Sequence, residues 1–216
     1  MNSTPQTEEQ AMVRKVAVSS FLGNFIEWFD YASYSYFATT IALVFFPTDN
    51  HTVAMLQTFG VFALSFILRP IGALFWGSYG DKKGRKAALA HSIMFMSGAS
   101  FLIGCLPSYS VIGVGAPILL LLLRMVQGFS ASGEYAGAAT FLGEYAPTSK
   151  RGIYCSLIPA STAIGLLAGS TLATLMTANM NSSAMVGWGW RVPFLLAGPL
   201  GLIVLYIRAK LADSPV

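Results

Sequence analysis

Six long apolar runs divided by short polar stretches constrain this chain more than any other feature. They cover residues 18–45, 53–79, 87–106, 117–143, 153–178 and 190–209. Each is long enough to cross the roughly 30 Å hydrocarbon layer of a bilayer as a helix. Membrane strands need only about ten residues of alternating polarity, and these runs are longer and do not alternate. The dividers are rich in turn formers and charges: PTDNH at 47–51, GDKKGRK at 80–86, PTSKR at 147–151 and ANMNSS at 178–183. With 55% hydrophobic residues, 10% charged residues and a mean hydropathy of +0.62, the chain has too few polar side chains to cover such runs in water; soluble domains are about 25% charged. The expected fold is an all-α membrane protein of six transmembrane helices. Residues 1–17 read as a polar tail and 210–216 as the start of a following loop.

Of thirteen Lys and Arg, most flank alternate runs on one side: Arg14, Lys15, Lys82, Lys83, Arg85, Lys86, Lys150, Arg151, Arg208 and Lys210. The stretches 46–52, 107–116 and 179–189 carry none. By the positive-inside rule both termini and the basic loops are cytoplasmic, in a multi-pass protein of the cell membrane. The net charge of +4 is then a topology signal, and no nucleic-acid partner is expected, because no soluble basic face exists to carry one. The polar start MNSTPQTEEQ, followed by a long acidic run, is unlike a cleaved signal peptide. Cys105 and Cys155 fall near opposite ends of their runs, so neither a disulfide nor a metal site is expected. No GxxxxGK[ST], HExxH or GxSxG motif occurs, so neither an enzyme nor a metal or organic cofactor is expected.

Charges inside the runs are the candidate functional groups. Glu27 and Asp30 sit in the aromatic stretch GNFIEWFDYASYSYF, with Arg69, Arg124 and Glu134 in later runs. A rise of about 1.5 Å per residue, counted from the run ends, places Glu27, Asp30, Arg69 and Glu134 at a common depth of roughly 15 Å, with Arg124 a further ten residues outward. A lone charge at such depth costs at least about 2.5 to 3.5 kcal/mol, so these groups face partners or a wet cavity. Spaced i, i+3, Glu27 and Asp30 share a helix face and can converge on one site. Three acids to one arginine at that level predict an excess of carboxylate suited to carrying a proton. The plainer reading is that the charges only pair and hold the helices in register. His91 reads as a packing residue, and Trp76, Tyr79, Trp188 and Trp190 as interface anchors. Gly133 with Gly137 and Gly165 with Gly169 predict close helix contacts.

The loop from Gly77 to Lys86, GSYGDKKGRK, resembles the GxxxD[RK]xG[RK][RK] loop of the major facilitator superfamily. Its physical logic is close packing at Gly77, a tight turn at Gly80 and Gly84, and an acceptor at Asp81. RMVQG at 124–128 is similar to the superfamily's RxxQG motif, and Glu144 to Gly152 to its ExxPxxxRG element. The resemblance implies an inner gate built by Gly77, Asp81, Gly84, Arg85, Glu144 and Arg151. GNFIEWFDY, LRPIGALFWG, QGFSASGEYAGA and GWGWRVPFLLAGPLG together look like the metabolite:H+ symporters, which carry proline or betaine, α-ketoglutarate, shikimate or citrate. In that family twelve spans form two six-helix halves. This chain resembles the N-terminal half, and a C-terminal six-helix half is implied as the partner that completes a site between them.

The resemblance implies proton-coupled symport of a small polar metabolite, with Glu27, Asp30, Arg69, Arg124 and Glu134 around the coupling cavity and the proton as coupling ion. Aromatic rings in the first span suit a quaternary ammonium, which ranks an osmolyte such as proline or betaine first. Arginines suit a carboxylate and rank a dicarboxylate such as α-ketoglutarate second. The alternative is a truncated or split half-transporter without activity of its own. An intramembrane hydrolase using the acid pair does not fit the gate motifs.

Overall fold

The computed structural model describes residues 5–210, with side chains from residue 10 onward, and contains helices and no strand among them. Helix α1 spans Pro5–Tyr36 and α2 Ala38–Phe45. The break at Phe37 is slight, since Phe37 N–H still donates to Ser33 O at 3.0 Å and Ile41 N–H to Phe37 O at 2.9 Å. The helix thus starts well before residue 18, inside the stretch expected to be a tail. Asn50 caps α3 (His51–Ile67), accepting from the N–H groups of Thr52 and Val53 at 3.0 and 3.3 Å, as short polar side chains do at helix starts. Helix α4 (Arg69–Lys83) follows a break at Leu68, with Pro70 in its first turn where the missing N–H is least costly.

Gly84 alone separates α4 from α5 (Arg85–Cys105). Its φ of +91° is open to glycine and strained for other residues. The tight turn therefore rests on Gly84, whereas Gly80 lies inside α4. Gly77 does not provide the expected close approach either, because a Cβ there would meet nothing within 4 Å. Beyond α6 (Tyr109–Ile112), α7 runs Gly115–Tyr145. Helices α8 (Arg151–Cys155) and α9 (Leu157–Asn179) are divided at Ser156, three residues before Pro159. Helix α10 (Ser182–Gly187) precedes α11 (Val192–Ala209), which holds Pro199 within it.

Packing places α1 and α7 at the centre. Helix α1 lies along α9 and also meets α7 and α11, while α7 meets α3, α4 and α5, and α5 lies along α11. The glycine pairs act as their spacing predicts: a Cβ on Gly165 would sit 2.7 Å from Phe25 O, on Gly169 2.6 Å from Ala32 Cβ, and on Gly133 2.8 Å from Trp76 Cβ. Three apolar clusters stack along the bundle. Tyr34, Ile41, Phe45, Leu120, Trp190 and Phe194 fill one end; Ile26, Ile93, Met96 and Val204 the middle; Val16, Leu89, Phe141, Leu142 and Ile158 the end near the basic loops.

The surface is apolar, with Leu74 77% exposed and Leu56, Ile67, Leu167 and Leu202 also bare. His51–Lys83, Arg85–Cys105, Gly115–Tyr145, Thr148–Asn179 and Gly189–Ala209 are long and apolar enough to cross a membrane. The first helix is long enough but more polar. Its Ser19, Ser20, Asn24, Glu27, Asp30 and Ser33 are all buried among other helices, out of reach of lipid. Two tryptophans expected as interface anchors are core residues instead. Trp76 is buried and donates from Nε1 to Phe129 O at 3.1 Å, and Trp190 packs edge-on to Phe45. Only Trp188, 57% exposed, remains an anchor by position, with Tyr79 half-buried. His91 donates from Nδ1 to Ala87 O at 2.7 Å and lies edge-on to Tyr79, but it is exposed on the bundle surface and is not the packing residue expected. Cys105 and Cys155 are free.

Candidate functional site

Each buried acid has an arginine of its own. Glu27 pairs with Arg69 across α1 and α4, Asp30 with Arg124 across α1 and α7, and Glu134 with Arg208 across α7 and α11. The expected excess of carboxylate is therefore absent among the described residues. Nor do Glu27 and Asp30 converge. Positions i and i+3 differ by about 60° around a helix, and that offset turns Glu27 to α4 and Asp30 to α7.

The counted depths also need correction. Glu134 lies against Gly23, level with Ser19, and Arg124, expected ten residues farther out, reaches Asp30. Central helices α1 and α7 run antiparallel, and their ends do not begin in one plane, so counting from run ends misplaced both groups. Only the level shared by Glu27 and Arg69 survives.

The three pairs differ in what surrounds them. Arg124 is fully enclosed: Nη1 donates to Asp30 Oδ2 at 2.7 Å and to Gln127 Oε1 at 2.6 Å, and the guanidinium lies 3.8 Å from the Tyr34 ring centre. Gln127 Nε2 in turn donates to Ser100 Oγ at 2.5 Å, tying in α5. Arg208, 1% exposed, donates to both oxygens of Glu134, to Leu89 O at 2.5 Å and to Ser19 O at 3.3 Å. Ser92 Oγ donates to Glu134 Oε2 at 3.2 Å. Any side chain at Gly23 would strike the Glu134 carboxylate and the Arg208 guanidinium.

The Glu27–Arg69 pair is open on one side. The Arg69 side chain is 25% exposed while that of Glu27 is 1% exposed. Arg69 Nη2 donates to Glu27 Oε1 and to Tyr31 Oη at 2.6 Å. Its guanidinium lies 5.0 Å from the Tyr31 ring centre and 4.9 Å from that of Phe66, within cation–π range. Trp28 and Phe62 pack edge-on to Tyr31 and complete an aromatic wall.

Near the basic loops, Arg85 Nε donates to Glu144 Oε1 at 2.9 Å, joining the start of α5 to the end of α7. Each charge sits at the helix end whose dipole disfavours it, and pairing offsets both penalties. Asp81 and Arg151 are exposed and take no part in the ion pairs among the described residues. Two further cations, Lys86 read only as a topology signal and Arg191 not singled out, fasten helix ends. Lys86 Nζ donates to Ala209 O at 3.1 Å, and Arg191 donates to Gly104 O at 2.8 Å and Leu106 O at 2.6 Å, capping α5. Arg208 was also missed as a buried group, although it lies within the run 190–209 and that position was the available signal.

The sugar (and other) transporter family model matches residues 15–216. The chain belongs to this family. As a family member it is 43% identical over 207 residues to the glycine betaine/proline/ectoine/pipecolic acid transporter OusA of Dickeya dadantii, covering 96% of this chain and 41% of that protein. A putative proline/betaine transporter of Staphylococcus aureus is 44% identical over 204 residues, covering 94% of this chain and 44% of that protein. The chain thus spans less than half the length of the curated relatives it matches. In fold it is similar to the proton:xylose symporter XylE, with a TM-score of 0.84 at 16% identity, covering 96% of this chain and 46% of that one. An inward-open structure of XylE from E. coli gives a TM-score of 0.81 at 17% identity over 94% of this chain and 49% of that one.

Proposed function

We propose that this chain forms the N-terminal half of a proton-coupled symporter for a small polar metabolite in the cell membrane, with its basic loops on the cytoplasmic side. A zwitterionic osmolyte such as proline or betaine ranks first and a dicarboxylate second. The observation that carries the reading is the contrast among three intramembrane ion pairs, two closed and one with an accessible guanidinium set against aromatic rings. Such a site offers a cation to a carboxylate and ring faces to an ammonium. The transporter relatives support the substrate ranking, since they are named as carriers of betaine, proline, ectoine and pipecolic acid. The proton is the coupling ion, carried at Glu27 or Asp30. Glu134, with both oxygens bonded to Arg208, serves to hold the helices together. The Arg85–Glu144 pair closes the cytoplasmic end, with Asp81, Arg151, Gly77 and Gly84 in the same gate. A C-terminal six-helix half completes the cavity.

The test is radiolabelled proline and betaine uptake in cells expressing the full reading frame, with and without a protonophore. Loss of accumulation when the proton gradient collapses is the expected result, and uptake unchanged by collapse overturns proton symport. A second reading, a six-helix unit without transport of its own, draws on the 41% of the relative's length that the chain spans. It is checked by expressing residues 1–216 alone and measuring the same uptake.

A further inference from the structure

We infer that Arg69 is the receptor for the substrate's carboxylate and that Glu27 holds it in reserve, so that protonation of Glu27 and arrival of the substrate exchange one carboxylate for another on the same guanidinium. This rests on the reading of the chain as a carrier half and specifies what happens at its open pair.

Accessibility singles out Arg69. Arg124 and Arg208 are enclosed by protein, and no ligand reaches them without unpacking helices. Arg69 is a quarter exposed at a depth where facing lipid would cost several kcal/mol. The face it shows is therefore one that water, a ligand or another protein surface covers. Its pairing is incomplete, as is that of the enclosed Asp30–Arg124 pair, but only here is the arginine open to a ligand. Among the described residues Glu27 Oε2 and Arg69 Nε have no hydrogen-bond partner, and neither does Trp28 Nε1 beside them. A buried polar group without a partner costs free energy, so a ligand carboxylate that engages the guanidinium fork in two places gains what the single Glu27 contact leaves unused.

The surroundings favour a switch of partner over a movement of the helix. The backbone on either side of Arg69 is held against α7, since a Cβ on Gly128 would strike Ser65 O and one on Gly72 would strike Phe129 O. The arginine side chain, guided by the Tyr31 and Phe66 rings, is the part left to move. The titratable groups around Glu27 are Asp30 and Tyr31 on its own helix, Arg69 on α4, and Glu134 on α7. Asp30 and Glu134 keep their own arginines throughout, so the exchange leaves those pairs untouched.

The step balances in charge and atoms. A proton from the external water forms an O–H bond on Glu27, and the Glu27–Arg69 ion pair is lost. The substrate's carboxylate then pairs with Arg69, while its ammonium lies against the Phe66 and Trp28 rings. The proton travels with the substrate as one positive charge and leaves when Glu27 reclaims Arg69 on the opposite side.

The experiment is equilibrium binding of glycine betaine to the full-length protein in lipid nanodiscs across pH, with choline as the analogue lacking a carboxylate. In the wild type, binding takes up one proton, and affinity falls about tenfold per pH unit above the Glu27 transition. In Glu27→Gln the affinity becomes independent of pH and no proton is taken up. In Arg69→Gln and the milder Arg69→Lys, the preference for betaine over choline falls by at least about tenfold. Glu27→Gln that still takes up a proton on binding, or Arg69→Gln that keeps the preference for betaine, overturns the exchange. Replacing betaine by α-ketoglutarate separates this from the substrate ranking. Proton uptake with α-ketoglutarate and none with betaine, abolished by Glu27→Gln, keeps the exchange and overturns the osmolyte; absence of carboxylate-dependent binding to the wild type overturns both.

Discussion

Two ion pairs one helical turn apart along α1 show how one chemistry serves two purposes. Beside Gly23 the Glu134 carboxylate has both oxygens bonded, and its arginine is also fastened to two main-chain carbonyls on other helices. At Glu27 one oxygen is bonded, the arginine is a quarter exposed, and its other contacts are aromatic faces. The first arrangement has no cheap alternative state, because separating the charges would strand both in a low-dielectric interior. The second has one within reach. Enclosure, more than charge or depth, separates a fastening from a switch.

The largest effect that would sharpen this contrast comes from Arg208→Leu. Glu134 is left buried with only Ser92 for company, and the expected loss is about 3–5 kcal/mol of stability, read as collapsed yield and a lowered unfolding midpoint in detergent. Adding Glu134→Leu should restore part of it; a double variant no better than the single one breaks the comparison. Gly23→Ala places a methyl where the carboxylate and guanidinium lie, and should cost about 1–3 kcal/mol through overpacking, measured in the same unfolding assay. Glu27→Gln should cost less than either, because Arg69 can turn toward water; a midpoint as low as that of Arg208→Leu would remove the distinction. The smallest effect belongs to Arg85→Ala and Glu144→Ala. A double-mutant cycle on this part-exposed pair should give about 0–1 kcal/mol and shrink with added salt.

The sequence makes the helices legible because lipid demands long apolar runs, and the helix ranges fall close to those runs except at Pro5, where α1 begins early. The packing glycines of α7 and α9 are legible for a similar reason, since four-residue spacing puts them on one face. The partners of the acids are only half legible. Glu27 and Arg69 sit at matching counts in adjacent antiparallel helices and do pair, but Asp30 and Arg124 do not match by count. Helix staggering, which no local pattern encodes, decides that contact. Arg208 was misread for a different reason: a cation close to a run's end satisfies the topology rule equally well whether it points to water or folds back into the bundle. Trp76 and Trp190 show the same ambiguity, because an indole suits both an interface and a core; Trp76 finds a carbonyl at Phe129, whereas Trp190 Nε1 has no partner among the described residues.

Helix α4 has the open pair at its first residue and, one glycine beyond its last, the Arg85–Glu144 pair. Fifteen residues make a stiff rod about 22 Å long, and α7 holds it at two points, Gly72 against Phe129 O and Trp76 against Gly133. A change of partner at Arg69 is thereby left to side chains, while the near absence of a loop between α4 and α5 ties the Arg85–Glu144 contact to the same fixed rod.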